Sequence, residues 1–498
     1  MDGYAPNEHS ALLPPADVAV AEEAPVDPFT LKLRFSCYDY LKIAFNSIWL
    51  FPLRLLFIVL PSVVMGSCLC MLSILCLSYN EEDPQPLTGW RKFVLQTVAT
   101  KVSRLFMFGF GFHWIPVTGT PAASSEAPIM VVGPHSSMLD IFAIGCRSIP
   151  TALSRAENRS VPFFGRIFTQ AFNVIYVSRE EGGSRRQAAM EINRRLNSGL
   201  DWPRLLIFPE GTTTNRKALL QFKHGAFSPG LPVQPVVIRY RNRMNTMVWP
   251  GHGDRVISCL FYTLCQFHNR VEIEYLPVYM PTDEEKQNPD LFADNVRNAI
   301  SRASGVPTSD VAVEDMILCN MAKRLGMPYS TGIVEYAKVK KDLSSTSIND
   351  LKKLLKTFSI IDRDRNGLID LSDLGWYLGV PSGAGLKTVF DSMEPASDGF
   401  LTYHNYVHGL LGRGRPHLQN EEFLHTIFNY LDQDHSGTLS EADMFRLPIH
   451  IAAGRHTTND FYQITPQIGF DDFKALLSDY MEYVLLFEAY QSIGIIAT

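Results

Sequence analysis

The longest apolar stretch of the chain lies near its amino terminus. Residues 43–79 are almost wholly apolar, and the main interruptions are Pro52, Arg54 and Pro61. The final part, Leu55–Tyr79, contains 25 residues without a charge, and about 20 are enough for a helix to cross a bilayer. A soluble helix of this length is normally amphipathic, so we predict a membrane segment. It is either a single span or a re-entrant hairpin of two short helices that meet near Pro61.

The middle of the chain alternates between two kinds of pattern. The predicted strands are Pro128–Val132, Val174–Ser178, Leu205–Phe208, Val233–Tyr240 and Val271–Tyr275. The predicted helices are Ser184–Leu196 and Leu291–Ala303. Such alternation is typical of an α/β layer whose reactive residues lie at strand ends. We place this domain at residues 80–325.

The last part of the chain has a helical pattern interrupted by two loops of oxygen-bearing residues. Residues 362–373 match the calcium loop of an EF-hand at its ligand positions, at its glycine and at its apolar position. Residues 432–443 form a second match. The candidate calcium ligands are Asp362, Asp364, Asn366, Leu368, Asp373, Asp432, Asp434, Ser436, Thr438 and Asp443. We therefore predict an all-α EF-hand domain at residues 345–485.

Both predicted calcium loops end in Asp rather than Glu. The shorter side chain reaches a cation less easily with both oxygens, so we expect weaker calcium binding or more competition from magnesium. Residues 394–405 and 461–472 resemble loops that have lost their ligands, and we predict that they act as structural partners of the two intact loops. The alternative is a helical scaffold that does not bind calcium.

The composition restricts the class of protein. A chain of 498 residues with 46% hydrophobic and 19% charged residues fits two or three domains and one membrane segment, but not a polytopic transporter. The net charge is -6 and no long basic run occurs, so no nucleic acid partner is expected. The eight cysteines form no CxxC pair, so neither a zinc site nor a disulfide framework is expected. Residues 1–28 are Pro/Ala-rich and acidic, which predicts a disordered tail.

A histidine and an aspartate stand five residues apart after the first predicted strand, in the segment Pro134–Asp140 with the sequence PHSSMLD. A carboxylate beside one imidazole nitrogen fixes the tautomer. It also supports the cation that forms when the other nitrogen takes a proton. His135 and Asp140 are therefore a candidate general-base pair. The spacing alone is common, and a helix-capping or surface role is the alternative.

Three further blocks lie at the ends of predicted strands. One strand ends in Arg179, another leads into the sequence FPEGT at residues 208–212, and a proline-bearing block occupies residues 231–237. The FPEGT loop is rich in hydroxyls and backbone N–H groups, which suits it to hold a phosphate. The basic residues that follow it are Arg216, Lys217 and Lys223.

In this order and spacing, the four blocks resemble those of the glycerolipid acyltransferase family (PlsC-like). The sequences SRAEN at 154–158, KHGAF at 223–227 and TGWRK at 88–92 are similar to the lysophosphatidylcholine acyltransferase branch, some members of which carry EF-hands. The resemblance covers roughly residues 40–490. It implies an α/β acyltransferase domain with an N-terminal membrane helix or helical hairpin, followed by an all-α EF-hand domain.

The resemblance also implies a role for each matching residue. His135 is implied to be the general base and Asp140 its orienting partner. The residues implied to position the phosphate-bearing acceptor are Arg179, Glu210, Gly211 and Thr212. By their charge, Arg216, Lys217 and Lys223 are further candidates to meet the phosphates of the acceptor or of coenzyme A.

The implied activity is transfer of an acyl or acetyl group from coenzyme A to the free hydroxyl of a lysophospholipid, most simply lysophosphatidylcholine or its alkyl-ether analogue. The expected partners are acyl-CoA, the lysophospholipid and membrane lipid, and the expected metal is calcium. The alternatives are lysophosphatidic acid or glycerol-3-phosphate as acceptor, a calcium-binding membrane scaffold, and a hydrolase that uses Ser136 or Ser137. Neither serine lies in a G-x-S-x-G elbow, which disfavours the hydrolase.

The family implies residence in the endoplasmic reticulum membrane, with the Golgi and lipid droplets as further sites. The carboxyl terminus shows no retrieval signal. We expect the catalytic domain to face the cytosol, because calcium sensing makes most sense there. The sequon at Asn158 is then expected to stay unglycosylated.

Overall fold

The computed structural model describes residues 26–75, 85–155, 174–177, 182–249, 256–343, 346–380, 382–432, 434–440, 443 and 467–492. Residues 1–25 of the predicted tail and 76–79 of the predicted membrane segment lie outside them. Pro28, which we predicted to belong to the disordered tail, is instead buried. The N–H of Asn215 donates to the carbonyl of Pro28 at 2.7 Å, and the neighbouring Phe29 is fully buried.

A seven-stranded mixed sheet forms the middle of the molecule. Its strands are β1 (Val117–Thr118), β2 (Ile129–Gly133), β3 (Thr151–Arg155), β4 (Ile175–Val177), β5 (Leu205–Ile207), β6 (Val233–Tyr240) and β7 (Val271–Tyr275). The spatial order is β1-β7-β6-β2-β5-β3-β4, and each neighbouring pair is parallel except β6 with β7. The predicted α/β layer is confirmed. Strands β1 and β3 were not predicted, and β1 is too short to show a hydrophobic pattern.

Helices cover both faces of this sheet. The helices of the middle region are α3 (Leu139–Gly145), α4 (Gly182–Asn197), α5 (Val256–Leu264), α6 (Asp283–Gln287) and α7 (Pro289–Ser304). Successive strand residues point to opposite faces. Accordingly, Met130 and Val132 of β2 pack in the core that contains α3 and α5, whereas Ile129 and Val131 pack in the core that contains α4 and α7. A strand buried on both faces explains why β2 is uniformly apolar.

The apolar stretch near the amino terminus forms one long helix rather than two short ones. Helix α1 (Cys37–Leu75) continues through Pro52 and Pro61, so of the two alternatives, the pair of short helices that meet near Pro61 is wrong. The partner of α1 is α2 (Gly89–Gly109), whose Gly109 end packs against the middle of α1.

One face of α1 is fixed to the sheet domain by buried polar contacts. Asn46 donates to the carbonyl of Cys265 at 2.8 Å, and Arg54 donates to the carbonyl of Leu264 at 2.7 Å. The residues buried on this face recur at helical spacing: Asp39, Ile43, Asn46, Leu50 and Arg54. The segment Cys37–Ile58 is long and apolar enough to cross a membrane, yet these contacts hold it alongside the domain.

The carboxyl-terminal part is helical. Its helices are α8 (Val313–Arg324), α9 (Tyr336–Asp342), α10 (Ile348–Ile361), α11 (Leu371–Leu378), α12 (Ala384–Ser392), α13 (Tyr403–Gly409), α14 (Arg415–Gln419), α15 (Glu421–Leu431), α16 (Phe470–Asp479) and α17 (Met481–Ser492). Two short antiparallel ladders join its loops. One pairs β8 (Leu368–Ile369) with β9 (Leu401–Thr402), and the other pairs β10 (Leu439–Ser440) with β11 (Gln467–Ile468).

Helix α8 contributes to two hydrophobic cores. Its Met316 packs with Leu220 of the sheet domain, and its Leu318 packs within the core of the carboxyl-terminal helices. The turn that follows lies so close to α8 that a Cβ added to Gly332 would stand 2.2 Å from the backbone nitrogen of Cys319. Only glycine fits at this approach. The helix therefore connects the sheet domain to the helical part.

Candidate active site

Three strand ends meet at one edge of the sheet. Strand β2 leads into His135, and its parallel neighbour β5 leads into the FPEGT block at residues 208–212. Its other parallel neighbour, β6, ends at Tyr240. Because parallel strands present their carboxyl ends at the same edge, the residues that follow them lie close together. This edge carries the candidate active site.

The structure brings the predicted general-base pair together. His135 Nδ1 lies 2.8 Å from Asp140 Oδ2, and the same oxygen accepts from the N–H groups of Ser136 at 2.7 Å and Ser137 at 3.2 Å. An ionised carboxylate only accepts hydrogen bonds, so Nδ1 carries the proton and Nε2 is the basic nitrogen. The His135 side chain is 15% exposed, whereas that of Asp140 is fully buried.

Phe208 fixes the imidazole from its face. The ring centroids of Phe208 and His135 are 3.8 Å apart, with an angle of 16° between the planes. This stacking restricts rotation of the imidazole and leaves it in the plane set by Asp140. The sequence analysis treated Phe208 as the end of a strand and the first residue of the FPEGT block, and gave it no role of its own. Its contact with His135 follows from the pairing of β5 with β2.

The Glu210 carboxyl holds the backbone of the histidine loop. It accepts from the N–H of His135 at 2.7 Å and from the N–H of Leu220 at 3.2 Å, and it is fully buried. Burial raises the pKa of the Glu210 carboxyl to about 8. The resemblance implied that Glu210 positions the acceptor. In this structure its side chain has no exposed surface for a substrate, so any effect on the acceptor passes through the loop.

The other residues of the FPEGT loop face in different directions. Gly211 adopts a φ of 71°, a conformation that glycine accepts at little cost, and its N–H donates to the carbonyl of Phe208 at 3.0 Å. The Thr212 hydroxyl points to the sulfur of Met316 in α8, at 3.0 Å. Thr212 and Gly211 therefore shape the loop, and the Thr212 hydroxyl is turned to the interior.

Of the three basic candidates, Lys217 is the exposed residue, whereas the other two are engaged by neighbouring groups. Arg216 is held by the carbonyl of Tyr240 at 3.0 Å, and Lys223 pairs with Glu314 at 2.5 Å. Arg179 lies outside the described residues.

Tyr240 reaches the same carboxylate as the histidine. Its hydroxyl donates to Asp140 Oδ1 at 2.5 Å, within the core. Sequence reasoning missed this contact, since the two residues are 100 positions apart and Tyr240 was predicted only as the last residue of a strand.

The predicted calcium ligands are folded onto their own loops. In the first loop, the Asp362 carboxylate accepts from the N–H of Gly367 at 2.8 Å and Asn366 Oδ1 accepts from the N–H of Leu368 at 2.7 Å. In the second loop, Asp432 accepts from the N–H of Gly437 at 2.8 Å. Among the residues that the structure describes, no three His, Cys, Asp or Glu side chains are gathered closely enough to hold a metal ion.

Comparison with known proteins gives this arrangement its context. The acyltransferase family model matches residues 115–239. Lysophosphatidylcholine acyltransferase 2 from Danio rerio is 34% identical over 495 residues, which is 97% of this chain and 90% of that protein. Lysophosphatidylcholine acyltransferase 1 from Mus musculus is 35% identical over 464 residues, 92% of this chain and 86% of that one.

The chain belongs to the lysophosphatidylcholine acyltransferase family. It is also similar to the crystal structure of the 1-acyl-sn-glycerophosphate (LPA) acyltransferase PlsC from Thermotoga maritima, with 18% identity and a TM-score of 0.36 over 52% of this chain and 95% of that one. In this chain, the acyltransferase family model spans His135, Asp140, Phe208 and Glu210. The side chains that meet at the sheet edge thus lie within or beside the part of the chain that defines the family.

Glu210 offers a test of what holds the histidine loop. With a pKa near 8, the carboxyl is mostly neutral at pH 7. Glu210→Gln is also neutral, but its single amide oxygen can accept from only one of the two N–H groups, so kcat/KM should fall by roughly tenfold. Glu210→Ala should lose roughly 100-fold or more, because it leaves two buried N–H groups without acceptors at about 1–3 kcal/mol each. Steady-state kinetics of the two variants at pH 7 would show this. Equal losses in both folded variants would show that the number of N–H groups accepted at position 210 does not decide how well the histidine loop is held.

The same residue makes stability depend on pH. The folded-state pKa of Glu210 lies above its ordinary value of 4.5, so between about pH 4.5 and 8 the folded protein holds the proton that the unfolded chain releases. The contribution of Glu210 to stability is complete below this window and is lost as the pH rises through it. Thermal unfolding should therefore show a smaller decline from pH 5 to pH 8 in Glu210→Gln than in the wild type.

Proposed function

We propose that this protein transfers an acyl or acetyl group from coenzyme A to the free hydroxyl of a lysophospholipid, with lysophosphatidylcholine or its alkyl-ether analogue as acceptor. Membership of the family supports the reaction class. The observation that carries the proposal is the His135–Asp140 pair, in which a buried carboxylate orients a partly exposed imidazole. Such a reaction serves phospholipid remodelling, because it rebuilds a two-chain lipid from a lysolipid.

The chemistry follows from the position of the basic nitrogen. His135 Nε2 takes the proton of the lysolipid hydroxyl while the oxygen attacks the carbonyl carbon of the thioester. The negative charge of Asp140 stabilises the imidazolium that forms. The C–S bond then breaks, its electron pair leaves on the sulfur of coenzyme A, and the imidazolium returns the proton to that sulfur. The substrate hydroxyl is the nucleophile, so no acyl-enzyme is required.

The serines beside His135 are poorly placed to act as nucleophiles. Ser136 and Ser137 are fully buried, and the Ser137 hydroxyl accepts from the N–H of Leu139 at 3.2 Å. A catalytic serine has to reach the carbonyl of its substrate. Direct transfer is therefore favoured over the hydrolase that the sequence left open.

Lys217 is our proposed contact for a phosphate of the acceptor or of coenzyme A. Its side chain is exposed, and its backbone N–H is fixed by Asn215 Oδ1 at 3.0 Å, so the ammonium group extends from an ordered loop. Arg179 remains the second proposed phosphate ligand, on the resemblance alone. An ammonium group binds a phosphate as a point charge.

His135→Ala should abolish the transfer. Loss of a general base typically costs roughly 100- to 10,000-fold in rate, so release of coenzyme A from palmitoyl-CoA or acetyl-CoA with lysophosphatidylcholine should fall by at least that lower figure. His425→Ala, which removes an exposed histidine of α15, is the matched control and should keep wild-type activity. Parallel assays with lysophosphatidic acid and glycerol-3-phosphate would rank the acceptors.

The outcomes separate the candidate functions. Release that requires the lysolipid and disappears in His135→Ala supports the transferase. Release without any acceptor would identify a thioesterase instead. No release with any donor or acceptor would favour the membrane scaffold.

We propose that the outer face of α1 and α2 lies in the surface of a bilayer. The large apolar side chains exposed there include Leu41, Phe45, Ile48, Leu56, Leu60, Trp90 and Phe93. An exposed apolar face of this extent is typical of a membrane or partner contact. The opposite face of α1 is tied to the sheet domain through Asn46 and Arg54. A helix held in this way binds along the membrane plane, which favours surface attachment of residues 37–58 over a span.

Charges on that face should release the protein from lipid. Burial of one large aliphatic side chain contributes about 1.5–3 kcal/mol, so Ile48→Glu combined with Leu56→Glu should weaken binding to phosphatidylcholine vesicles by at least tenfold. Met190→Glu changes an exposed apolar residue of α4 and should bind as the wild type does. Flotation of the proteins with vesicles after detergent removal measures this. Equal flotation of all three would place the lipid contact elsewhere.

We propose that residues 362–373 and 432–443 are EF-hand loops that bind calcium. Their candidate ligands are oxygen atoms throughout, which is the donor set that Ca²⁺ prefers. The ladder between β8 and β9 joins the first loop to the ligand-poor residues 394–405, as expected for paired loops. In the first loop, burial and the nearby Asp364 raise the pKa of Asp362 to about 6. A divalent cation would relieve that repulsion between carboxylates.

The last residue of each loop should limit calcium affinity. Asp443 Oδ2 accepts from the Ser440 hydroxyl at 2.6 Å. Asp373 Oδ2 accepts from the backbone N–H of Asp370 at 3.4 Å. Asp373→Glu lengthens the side chain, so we expect roughly tenfold tighter Ca²⁺ binding in isothermal titration calorimetry. Asp391→Glu, outside the loops, should leave binding unchanged. No heat from either the wild type or Asp373→Glu at millimolar Ca²⁺ would remove the calcium proposal.

Residence in the endoplasmic reticulum, the Golgi or on lipid droplets, with a cytosolic catalytic domain, stays a prediction. The sequon at Asn158 lies outside the described residues.

A further inference from the structure

The carboxylate of Asp140 accepts hydrogen bonds on both of its oxygens. Oδ2 accepts from His135 Nδ1 at 2.8 Å and from the N–H groups of Ser136 and Ser137. Oδ1 accepts from the hydroxyl of Tyr240 at 2.5 Å. Both partners of this last contact are buried: Asp140 is fully buried and Tyr240 is 5% exposed. Tyr240, at the end of strand β6, therefore joins His135 and Asp140 as the third member of one hydrogen-bonded group.

The position of the Tyr240 hydroxyl is set by rigid surroundings. Tyr240 is the last residue of β6, which pairs in parallel with β2 through Val237 and Gly133. The guanidinium of Arg216 lies 5.5 Å from the centre of the tyrosine ring and also donates to the Tyr240 carbonyl at 3.0 Å. On another side, the ring of Phe112 packs edge to face against the tyrosine ring, with 5.9 Å between the two ring centres.

The phenol is a permanent donor in these surroundings. Burial, and after it the charge of Asp140, raise the pKa of the Tyr240 hydroxyl well above its ordinary value. It therefore keeps its proton at neutral pH, and as the donor in this contact it stabilises the ionised form of Asp140. A hydrogen bond from a neutral donor to a carboxylate is stronger than one between neutral groups.

We propose that Tyr240 is a positioning residue for the acyl transfer: its hydroxyl fixes the orientation of Asp140 so that Oδ2 faces His135, and it disperses the carboxylate charge that the imidazole meets. The proposal rests on the transferase function described above and extends it to a residue that touches neither substrate nor His135. The hydroxyl also contacts the Ser137 side chain, and it acts on His135 through Asp140.

Two consequences follow from removal of this hydroxyl. Oδ1 would lose its donor in a buried site, so the carboxylate would turn away from its present orientation and hold His135 less well. At the same time the negative charge would concentrate on Asp140 and favour the protonated imidazole. Protonated His135 cannot act as a base, so the acid limb of the pH profile should move to higher pH.

The test compares Tyr240→Phe with Tyr275→Phe. Tyr275 is also a buried tyrosine of the sheet, on β7, and within the described residues its hydroxyl has no hydrogen-bond partner. Because a hydrogen bond to a charged group contributes about 1.5–3 kcal/mol, Tyr240→Phe should lower kcat by roughly 10- to 100-fold. The KM for both substrates should stay within about twofold, because the buried Tyr240 side chain does not touch either substrate. In the plot of kcat/KM against pH, the midpoint of the acid limb should move to higher pH by about half a unit or more. Tyr275→Phe should match the wild type in all three measurements.

A double-mutant cycle adds a readout that a merely structural role would not give. If Tyr240 acts through Asp140, then Tyr240→Phe should cause little further loss of kcat in an Asp140→Asn background. Should Tyr240→Phe unfold, 3-fluorotyrosine at position 240 keeps the ring and strengthens the donor. It should then move the acid limb to lower pH.

Each contrary result has a clear meaning. Wild-type kcat in Tyr240→Phe, or a loss with an unchanged pH profile and full additivity with Asp140→Asn, would overturn the proposal. Failure of the proposed function would look different, because the wild type and Tyr275→Phe would then both lack transfer to every lysophospholipid.

Discussion

The parallel pairing of β2 with β5 on one side and β6 on the other is the constraint on which the site depends. It brings three strand ends to one edge, so that Phe208 stacks on His135 and Tyr240 reaches Asp140 although these residues are far apart in the chain. A slip of one residue in either pairing would turn the side chains of a strand to the opposite face. Such a slip is costly here, because β2 is buried on both faces and its alternate residues fill two different cores.

The parts of the site that were predictable are local or lie within family blocks. His135 and Asp140 are five residues apart in one turn, so their contact follows from spacing once the family blocks single them out. The Tyr240–Asp140 contact spans 100 residues and the Asn46–Cys265 contact spans 219. No periodicity in a single sequence reports such pairs, since they depend on which strands become neighbours. For the same reason the apolar run at the amino terminus gave no sign of its docked face.

Buried carboxyls recur as acceptors for backbone groups that no ladder satisfies. Glu210 takes the N–H groups of His135 and Leu220. Asp315, at the start of α8, takes those of Val334 and Ala312 at 2.8 and 2.7 Å, and burial raises its pKa to about 7. Buried N–H groups must find a partner, and a carboxyl can serve two at once. The resemblance marked Glu210 as functional, but its contact with the loop backbone became visible only in three dimensions.

Helix α8 restricts where the domains of two related proteins can be joined in a hybrid. Its Met316 receives the Thr212 hydroxyl from the FPEGT loop, while its Leu318 lies in the core of the carboxyl-terminal helices. The domain boundary that we predicted at residue 325 lies directly after this helix. A hybrid joined there would pair the α8 of one parent with the Gly332 turn of the other, across an approach that admits no side chain. Recombination that keeps α8 and the turn from the same parent preserves this fit.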